Sequence, residues 1–368
     1  MAVTASSTGS HSSPVPAPDG GPDAGAVWHH GDPLGEQRSA SQHAVVVDRS
    51  HRAVLTLTGP ERKSWLHTIS SQHVSDLPDG AVTENLNLDG QGRVEDHWVQ
   101  TQLDGVTVLD TEPWRGEPLL TFLRKMVFWA DVVVEPADLA VLSLLGPALT
   151  GAAVLEALGV SALPAPGTAV VLSGGGFLRA LPGSVDEVDL VVPRDQVQQW
   201  QDRLVAAGVR RAGVWAYEAH RVAALRPRVG VDTDERTIPH EVGWIPSAVH
   251  LEKGCYRGQE TVARVHNLGK PPRMLVLLHL DGSAERPATG DPVLAGGRTV
   301  GRVGTVVDHV DEGPIALALL KRNLPVDTPL ITGGAVAVTA AIDPESMPAP
   351  DAAGAGRVAV DRLRGAAH

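Results

Sequence analysis

The stretch Leu251 to Glu260, LEKGCYRGQE, contains the only cysteine among the 368 residues of the chain. Cys255 follows Lys253 by two residues, and glycines occupy positions 254 and 258. The lysine favours the thiolate form of the cysteine if the two side chains converge. The glycines allow backbone shapes and close approaches that a Cβ atom would forbid. Residue types alone leave two interpretations open, a reactive thiol and a buried structural cysteine at a turn.

Residues 253–260, KGCYRGQE, resemble the K-G-C-[YF]-x-G-Q-E signature of the YgfZ family, and all seven fixed positions match without a gap. That family belongs to the folate-binding superfamily of the glycine-cleavage T-protein, an aminomethyltransferase, and supports maturation or repair of iron–sulfur enzymes. The resemblance implies that Cys255 and Lys253 are candidate catalytic residues. It also implies candidate folate contacts at Tyr256, Gln259 and Glu260.

A second informative stretch, NLNLDGQGRVEDHWVQ, spans residues 85–100. The Asp-Gly-Gln-Gly run at 89–92 separates two strand-like segments and predicts a β-hairpin. Glu95 and Asp96 are neighbours, so on a regular strand their side chains point to opposite faces of the sheet. Composition alone favours two solvated carboxylates at these positions.

The same stretch resembles the T-protein segment N-x-x-G-G-[IL]-x-D-D, whose first Asp lies beside the pterin of tetrahydrofolate. That Asp falls on Asp96, and His97 replaces the second one. The resemblance therefore implies that Asp96 contacts folate. A carboxylate there can accept hydrogen bonds from ring N–H groups and assist the reactivity of N5.

The order of strand and helix patterns predicts an α+β fold. Strand, helix, hairpin, helix and strand follow one another up to residue 136, which indicates helices on one side of a mainly antiparallel sheet. The alternation then repeats, and the family has two such ferredoxin-like units. Beyond a break at residues 270–272, short strands with Gly-rich turns predict a small β-barrel. The expected organisation is a T-protein/YgfZ-like folate-binding domain over 41–270, with units at about 41–136 and 137–270, and a barrel over 271–344.

The two ends of the chain have the composition of flexible segments. Residues 1–40 are rich in Ser, Pro, Gly and Asp and hold few residues able to form a core. They are therefore expected to be a disordered tail. The Pro-, Ala- and Gly-rich residues 345–368 are expected to be a second flexible tail.

A third segment of interest, HRVAALRPRVGVD, spans residues 220–232. It resembles the L-R-[IL]-x-x-G-x-P run of the family, with Arg221 on the arginine. Arg221 is thereby a candidate folate contact, and a structural role is the alternative. The T-protein has a pterin-binding Glu two residues after this arginine, whereas this chain has Ala223.

Composition narrows the classes of function. An apolar content of 43% suits a globular core, and the net charge of −12 argues against broad, charge-driven binding of nucleic acid. A single cysteine excludes an intrachain disulfide framework and a metal site made of several cysteines. Such sparse cysteine is compatible with a reducing cytosol. No apolar run approaches the ~20 residues that span a bilayer, and the N-terminus lacks the pattern of a signal peptide.

The best interpretation at this level is a cytosolic, YgfZ-like protein that binds tetrahydrofolate or a one-carbon derivative and supports iron–sulfur client proteins. Membrane and direct nucleic-acid partners are not expected. One alternative is a tetrahydrofolate-dependent aminomethyl- or demethyltransferase, which Asp96 supports and Ala223 opposes. A second alternative is a non-catalytic scaffold that binds clients.

Overall fold

The first described segment, residues 13–42, is structured, and we call it the N-terminal strap. The computed structural model describes residues 13–245, 247–268 and 270–348. The strap contains β1 (Val15–Pro16), β2 (Val27–His29) and α1 (Pro33–Gln42). The disordered tail predicted for residues 1–40 is therefore wrong for 13–40, and the rest of that prediction lies outside the described residues.

Specific polar and aromatic contacts, rather than a large apolar core, hold the strap against the body of the protein. The Asp23 carboxylate lies 3.1 Å from His51 Nε2 and 3.0 Å from Arg228 Nη1. Trp28 stacks on Trp215 with ring centroids 5.4 Å apart. These contacts join the strap to the body of the protein, which composition alone does not reveal.

The first α+β unit forms a five-stranded sheet with two helices. After β3 (Val45–Asp48), which joins the second sheet, the chain runs through β4 (Ala53–Thr58), α2 (Arg62–Ile69), β5 (Val82–Leu88), β6 (Val94–Leu103), β7 (Val106–Thr111), α3 (Gly116–Met126) and β8 (Val133–Pro136). The strand order is β5-β6-β7-β4-β8. Trp65 from α2, Leu119 from α3 and Trp98 from β6 pack into one apolar core.

The second unit repeats the first in element order. It contains β9 (Leu139–Leu145), α4 (Ala152–Leu158), β10 (Ala169–Val171), β11 (Phe177–Arg179), β12 (Glu187–Pro193), α5 (Val197–Ala206) and β13 (Arg210–Ala212). Its sheet order is β10-β11-β12-β9-β3-β13, so the early strand β3 is inserted beside β9. Gly159 ends α4 in the left-handed conformation, which is common for a glycine directly after a helix.

The two sheets meet through a thin apolar layer and a buried ion-pair network. Val54, Val141 and Phe177 belong to the apolar layer. Beside it, Arg179 pairs with Asp110 at 2.5 Å and with Asp189 at 2.8 Å, which links the two units. A charge in such a place is tolerated only when it is paired and hydrogen-bonded.

Helix α6 (Val214–Ala223) and an irregular segment lead to α7 (Gln259–Leu268) and then to the barrel. The closed barrel has the order β14-β17-β16-β15-β18-β19. Its strands are β14 (Arg273–Leu280), β15 (Pro292–Ala295), β16 (Arg298–His309), β17 (Gly313–Lys321), β18 (Leu330–Gly333) and β19 (Ala337–Ile342). Within the described residues, no helix has the length and apolar character needed to cross a bilayer.

The predicted fold class is confirmed by this architecture, which combines two α+β units with a closed barrel. Helix α7 is the main element that the sequence patterns did not predict. It begins directly after Gly258, whose φ of +83° lets the chain turn from the cysteine segment into the helix.

Candidate functional site

The two informative stretches of the sequence meet in the structure. The turn of the β5–β6 hairpin packs against the segment that contains Cys255, and glycines from both sides form the contact. A Cβ atom on Gly258 would lie 2.6 Å from the carbonyl oxygen of Asp89 and 2.8 Å from Cα of Gly92. A Cβ atom on Gly92 would lie 2.9 Å from Cβ of Thr261 on α7. Close backbone approach therefore explains both glycines.

Lys253 fastens the cysteine segment to the end of α2. Its ammonium donates hydrogen bonds to the carbonyl oxygens of Ser70 at 2.6 Å, of Gln72 at 3.0 Å, and of His67. The last carbonyl groups of a helix lack partners within the helix, and these bonds satisfy part of that need. Burial lowers the pKa of Lys253 to about 8. Lys253 is thus a buried anchor whose donors are directed at backbone carbonyls.

The remaining residues of the signature surround this anchor. Cys255 is exposed, so the alternative of a buried structural cysteine is wrong. Tyr256 is buried, with Lys253 Nζ 5.1 Å from its ring centroid. Gln259 donates from Nε2 to the carbonyl of Lys253 at 3.1 Å and closes the segment on itself. Glu260 lies exposed in the first turn of α7, where a carboxylate suits the helix dipole.

Asp96 lies buried on β6 with both carboxylate oxygens in use. Oδ1 accepts from Arg115, at 2.8 Å from Nε and 2.6 Å from Nη2. Oδ2 accepts from Asn87 Nδ2 at 3.0 Å. Arg115 ends a single 3-10 turn, Pro113–Arg115, just before α3. The side chain of Asp96 is only 2% exposed, whereas that of Arg115 is 28% exposed. The arginine thus covers the acid.

Glu95 does not point away from Asp96 as a regular strand would require. The register shifts between Asn87, opposite Asp96, and Leu88, opposite Val94, so Glu95 is the extra residue of a β-bulge. Bulges re-aim side chains in this way. Glu95 Oε2 consequently accepts from the same Asn87 amide nitrogen, at 3.2 Å. The expectation of opposite faces is wrong because the strand is irregular at this position.

The bulge connects the buried acid to the cysteine segment. Glu95 Oε2 also accepts from Arg257 Nη1 at 2.9 Å, and Arg257 stands two residues after Cys255. A continuous polar chain therefore runs from Arg257 through Glu95, Asn87 and Asp96 to Arg115. Three side chains of this polar chain, those of Asn87, Arg115 and Arg257, were not singled out by the sequence analysis.

Two buried polar atoms near this chain are left without partners among the described residues. Asn87 Oδ1 and the Tyr256 hydroxyl accept and donate no hydrogen bond within that part of the structure. Burial raises the pKa of Tyr256 to about 12, so its hydroxyl keeps its proton at neutral pH. An unsatisfied buried polar group costs about 1–3 kcal/mol. A bound molecule with hydrogen-bonding groups would recover that cost, so these residues fit a polar ligand.

Arg221 is placed in a different environment. It is buried, and its guanidinium donates to Glu218 at 2.7 Å, to Asp232 at 3.0 Å and to Thr305. These partners join α6 to the barrel, which favours the structural alternative for this arginine. Ala223, at the end of α6, is exposed and offers no polar atom of its own side chain.

His97, which stands where the T-protein motif has its second acid, belongs to the core. Its ring stacks on Trp244 with centroids 4.7 Å apart and planes 8° apart. Its Nε2 lies 3.0 Å from Glu84 Oε1. Trp244 is therefore an ordinary packed tryptophan in this structure.

A cavity of about 580 Å³ adjoins the cysteine segment. Its wall includes His73, His250, Lys253 and Gly254, and Asp96 is not part of it. Cys255 and Asp96 are consequently connected through Arg257, Glu95 and Asn87 rather than across this cavity.

Sequence reasoning missed Asn87, Arg115 and Arg257. The alternation of Asn85 and Asn87 with Leu86 and Leu88 is a signal that β5 carries polar side chains on one face. Nothing in the sequence marks Arg115, which lies outside both informative stretches.

Comparison with known sequences gives partial matches along the chain. Residues 273–349 match the family profile described as the C-terminal beta-barrel domain of CAF17. The tRNA-modifying protein YgfZ of Shigella dysenteriae is 27% identical over 281 residues, which cover 74% of this chain and 83% of that protein. An aminomethyltransferase of Thermosynechococcus vestitus is 28% identical over 277 residues, 73% of this chain and 74% of that protein. A chloroplastic relative from Arabidopsis thaliana is 25% identical over 300 residues, 76% of this chain and 66% of that protein.

Comparison with solved structures concerns the fold. The chain resembles the glycine cleavage system aminomethyltransferase T of Bartonella henselae with a TM-score of 0.77 at 18% identity. The match covers 89% of this chain and 93% of that chain. The two proteins therefore share the same arrangement of α+β units and barrel.

Proposed function

The chain is a YgfZ-like relative of the glycine-cleavage T-protein, and from this premise we propose that it binds tetrahydrofolate and supports the assembly or repair of iron–sulfur enzymes. The observation that carries the proposal is the junction of the two stretches with family resemblance. At this junction the Asp96 hairpin packs against the Cys255 segment, and one polar chain joins them.

The residues present fit a pterin. Asp96 supplies acceptors, Asn87 Oδ1 is an acceptor with no donor among the described residues, and the Tyr256 hydroxyl can donate or accept. Reduced pterins offer ring N–H and amino groups to such acceptors. Bound tetrahydrofolate would supply a carrier for one-carbon groups.

Within this proposal, Cys255 is the residue that meets a client or a reactive group, because it is an exposed residue of the signature and carries its only thiol. Lys253 acts by positioning that segment, since its ammonium is engaged by three carbonyl groups. Gln259 supports the same segment, and Glu260 stabilises the start of α7. We place the activity in the cytosol with iron–sulfur enzymes as clients, while noting that one relative is chloroplastic.

The test is anaerobic calorimetry with tetrahydrofolate. We expect wild type and Cys255→Ser to bind and Asp96→Asn to lose at least tenfold in affinity, because the amide offers fewer acceptors. Asp104→Asn, an exposed change in the turn after the same strand, is the matched control and should bind like wild type. Absence of binding to wild type would refute the folate proposal and favour a client-binding scaffold.

A second assay addresses the client role. Cells that lack the protein should regain the activity of oxidant-sensitive iron–sulfur enzymes when wild type is returned, and should not regain it with Cys255→Ser. Full rescue by the serine variant would remove Cys255 from the proposed chemistry.

The runner-up function is a tetrahydrofolate-dependent aminomethyltransferase, which the name of the Thermosynechococcus relative supports. It requires formation of methylenetetrahydrofolate from an aminomethyl donor. The exposed Ala223, in place of the T-protein's pterin-binding Glu, opposes it. Turnover with any methylamine donor would promote this alternative, and no turnover across donors would eliminate it.

A further inference from the structure

We propose that Arg115 is a gate on the folate site, an internal group that occupies Asp96 until a ligand replaces it. The inference rests on the proposed function and adds a regulatory step to the same site. Its basis is the hydrogen bond from Arg115 Nε to Asp96 Oδ1 at 2.8 Å, together with the ion-pair contact of Nη2 with the same oxygen at 2.6 Å.

The Arg115 guanidinium resembles the proposed ligand in its arrangement of hydrogen-bond donors. A guanidinium presents adjacent N–H donors in a planar fork. The 2-aminopyrimidinone edge of a pterin contains a guanidine-like unit with the same planar arrangement of donors. The Arg115 guanidinium already occupies Oδ1, and Asn87 Nδ2 donates to Oδ2. A pterin edge and the Arg115 guanidinium therefore compete for the same carboxylate.

The two partners are buried to different degrees. The Asp96 side chain is only 2% exposed, so water cannot easily replace a hydrogen-bond donor that its carboxylate loses. Arg115 is 28% exposed, so its guanidinium can move into solvent at a smaller loss of hydrogen bonding. Arg115 also lies where a three-residue turn joins the N-terminus of α3, and its side chain borders solvent there.

Of the two residues that bond the Asp96 carboxylate, Asn87 is buried and Arg115 is partly exposed, which makes Arg115 the movable partner. Asn87 and Asp96 face each other in the β-ladder, and Glu95 is held by Arg257. If the Arg115–Asp96 ion pair were purely structural, replacing Arg115 would lower stability and would not tighten ligand binding.

The gate predicts opposite changes in stability and affinity. If the pair is closed in about nine of ten ligand-free molecules, removing it tightens apparent binding about tenfold. The substitution Arg115→Gln keeps one donor and should remain folded, and Arg115→Ala is the stronger variant. Both should bind tetrahydrofolate about tenfold more tightly and associate faster, while their thermal midpoints fall. Arg124→Gln is the matched control, because Arg124 lies exposed on α3 and bonds only the Val134 carbonyl at 3.0 Å.

The experiment measures affinity by anaerobic calorimetry, association by stopped flow and unfolding by heat. Unchanged or weaker binding by Arg115→Gln would overturn the gate. If wild type binds tetrahydrofolate and Asp96→Asn does not, the proposed folate site stands even when the gate is overturned. If no variant binds, the proposed function fails and the gate fails with it.

Discussion

At the scale of single residues, the glycines of the signature have unequal roles. Gly258 has a φ of +83° and faces Asp89 and Gly92 across a contact that leaves no room for a Cβ atom. Gly254, four positions earlier, has open space around its Cβ direction. The identity of position 258 is therefore imposed by its neighbours, whereas position 254 tolerates a side chain in this structure.

We predict that Gly258→Ala lowers the free energy of unfolding by about 1–3 kcal/mol, because it combines a left-handed conformation with a backbone clash. The same change should weaken tetrahydrofolate binding by separating the hairpin from the cysteine segment. Urea denaturation and calorimetry measure the two effects.

The control for this prediction lies in the same signature. Gly254→Ala should stay within about 0.5 kcal/mol of wild type, as surface changes usually do. Equal stability of the two variants would contradict the role assigned to the Gly92–Gly258 contact.

At the scale of elements, the C-terminal end of α2 depends on a lysine that is 183 to 186 residues away in sequence. The Lys253 ammonium holds three carbonyl groups, and the backbone N–H of His250 donates to the Ser71 carbonyl at 3.0 Å. The cysteine segment and the α2 end therefore form one unit. Loosening one should loosen the other.

We expect Lys253→Met to lower the free energy of unfolding by about 2–4 kcal/mol, because it leaves buried carbonyl groups without a charged donor. Hydrogen exchange at residues 67–72 should accelerate, and Cys255 should react faster with an alkylating agent. Lys125→Met, at an exposed site on α3, is the control for loss of a lysine. Unaltered exchange at 67–72 would show that the anchor contributes little to α2.

At the scale of the whole molecule, buried carboxylates paired with arginines join the strap and the two α+β units. Burial by itself would raise the pKa of Asp110, but Arg179 and Arg52 lower it to about 2. Burial likewise opposes ionisation of Asp23, yet His51 and Arg228 lower its pKa to about 2. Glu187, paired with Arg226 and His220, also has its pKa lowered to about 2.

These shifts predict acid sensitivity with a defined sign. An aspartate in the unfolded chain has a pKa near 3.8, so between that value and about 2 the unfolded state binds more protons than the folded state. The stabilisation is complete above about pH 5 and is lost progressively as the pH falls towards 2. The urea midpoint should drop steeply between pH 4 and pH 2.5 and change little between pH 5 and pH 7.

Asp110→Asn provides the check on this assignment. The variant should be less stable than wild type at pH 6 and should lose less stability on acidification. A wild-type midpoint that stays constant down to pH 2.5 would contradict the proposed network.

Much of the fold follows from local signals in the chain. The hairpin at 89–92, the cap at Gly159 and the alternation of strands with amphipathic helices are specified by residues close in sequence, so they can be predicted without tertiary contacts. The strap and α7 are different, because Asp23, Trp28 and Gly258 obtain their structure from distant partners. Composition describes such segments poorly.

The sequence by itself determined the signature around Cys255, the acid at Asp96 and the α+β-plus-barrel class, because residue type and short spacing define them. Only the tertiary structure decided that Lys253 anchors a helix end, that Glu95 turns towards Asp96, and that Arg115 covers the acid. These facts depend on a β-bulge and on contacts between segments about 20 to 190 residues apart. No local pattern encodes such contacts, since they arise only when folding brings these segments together.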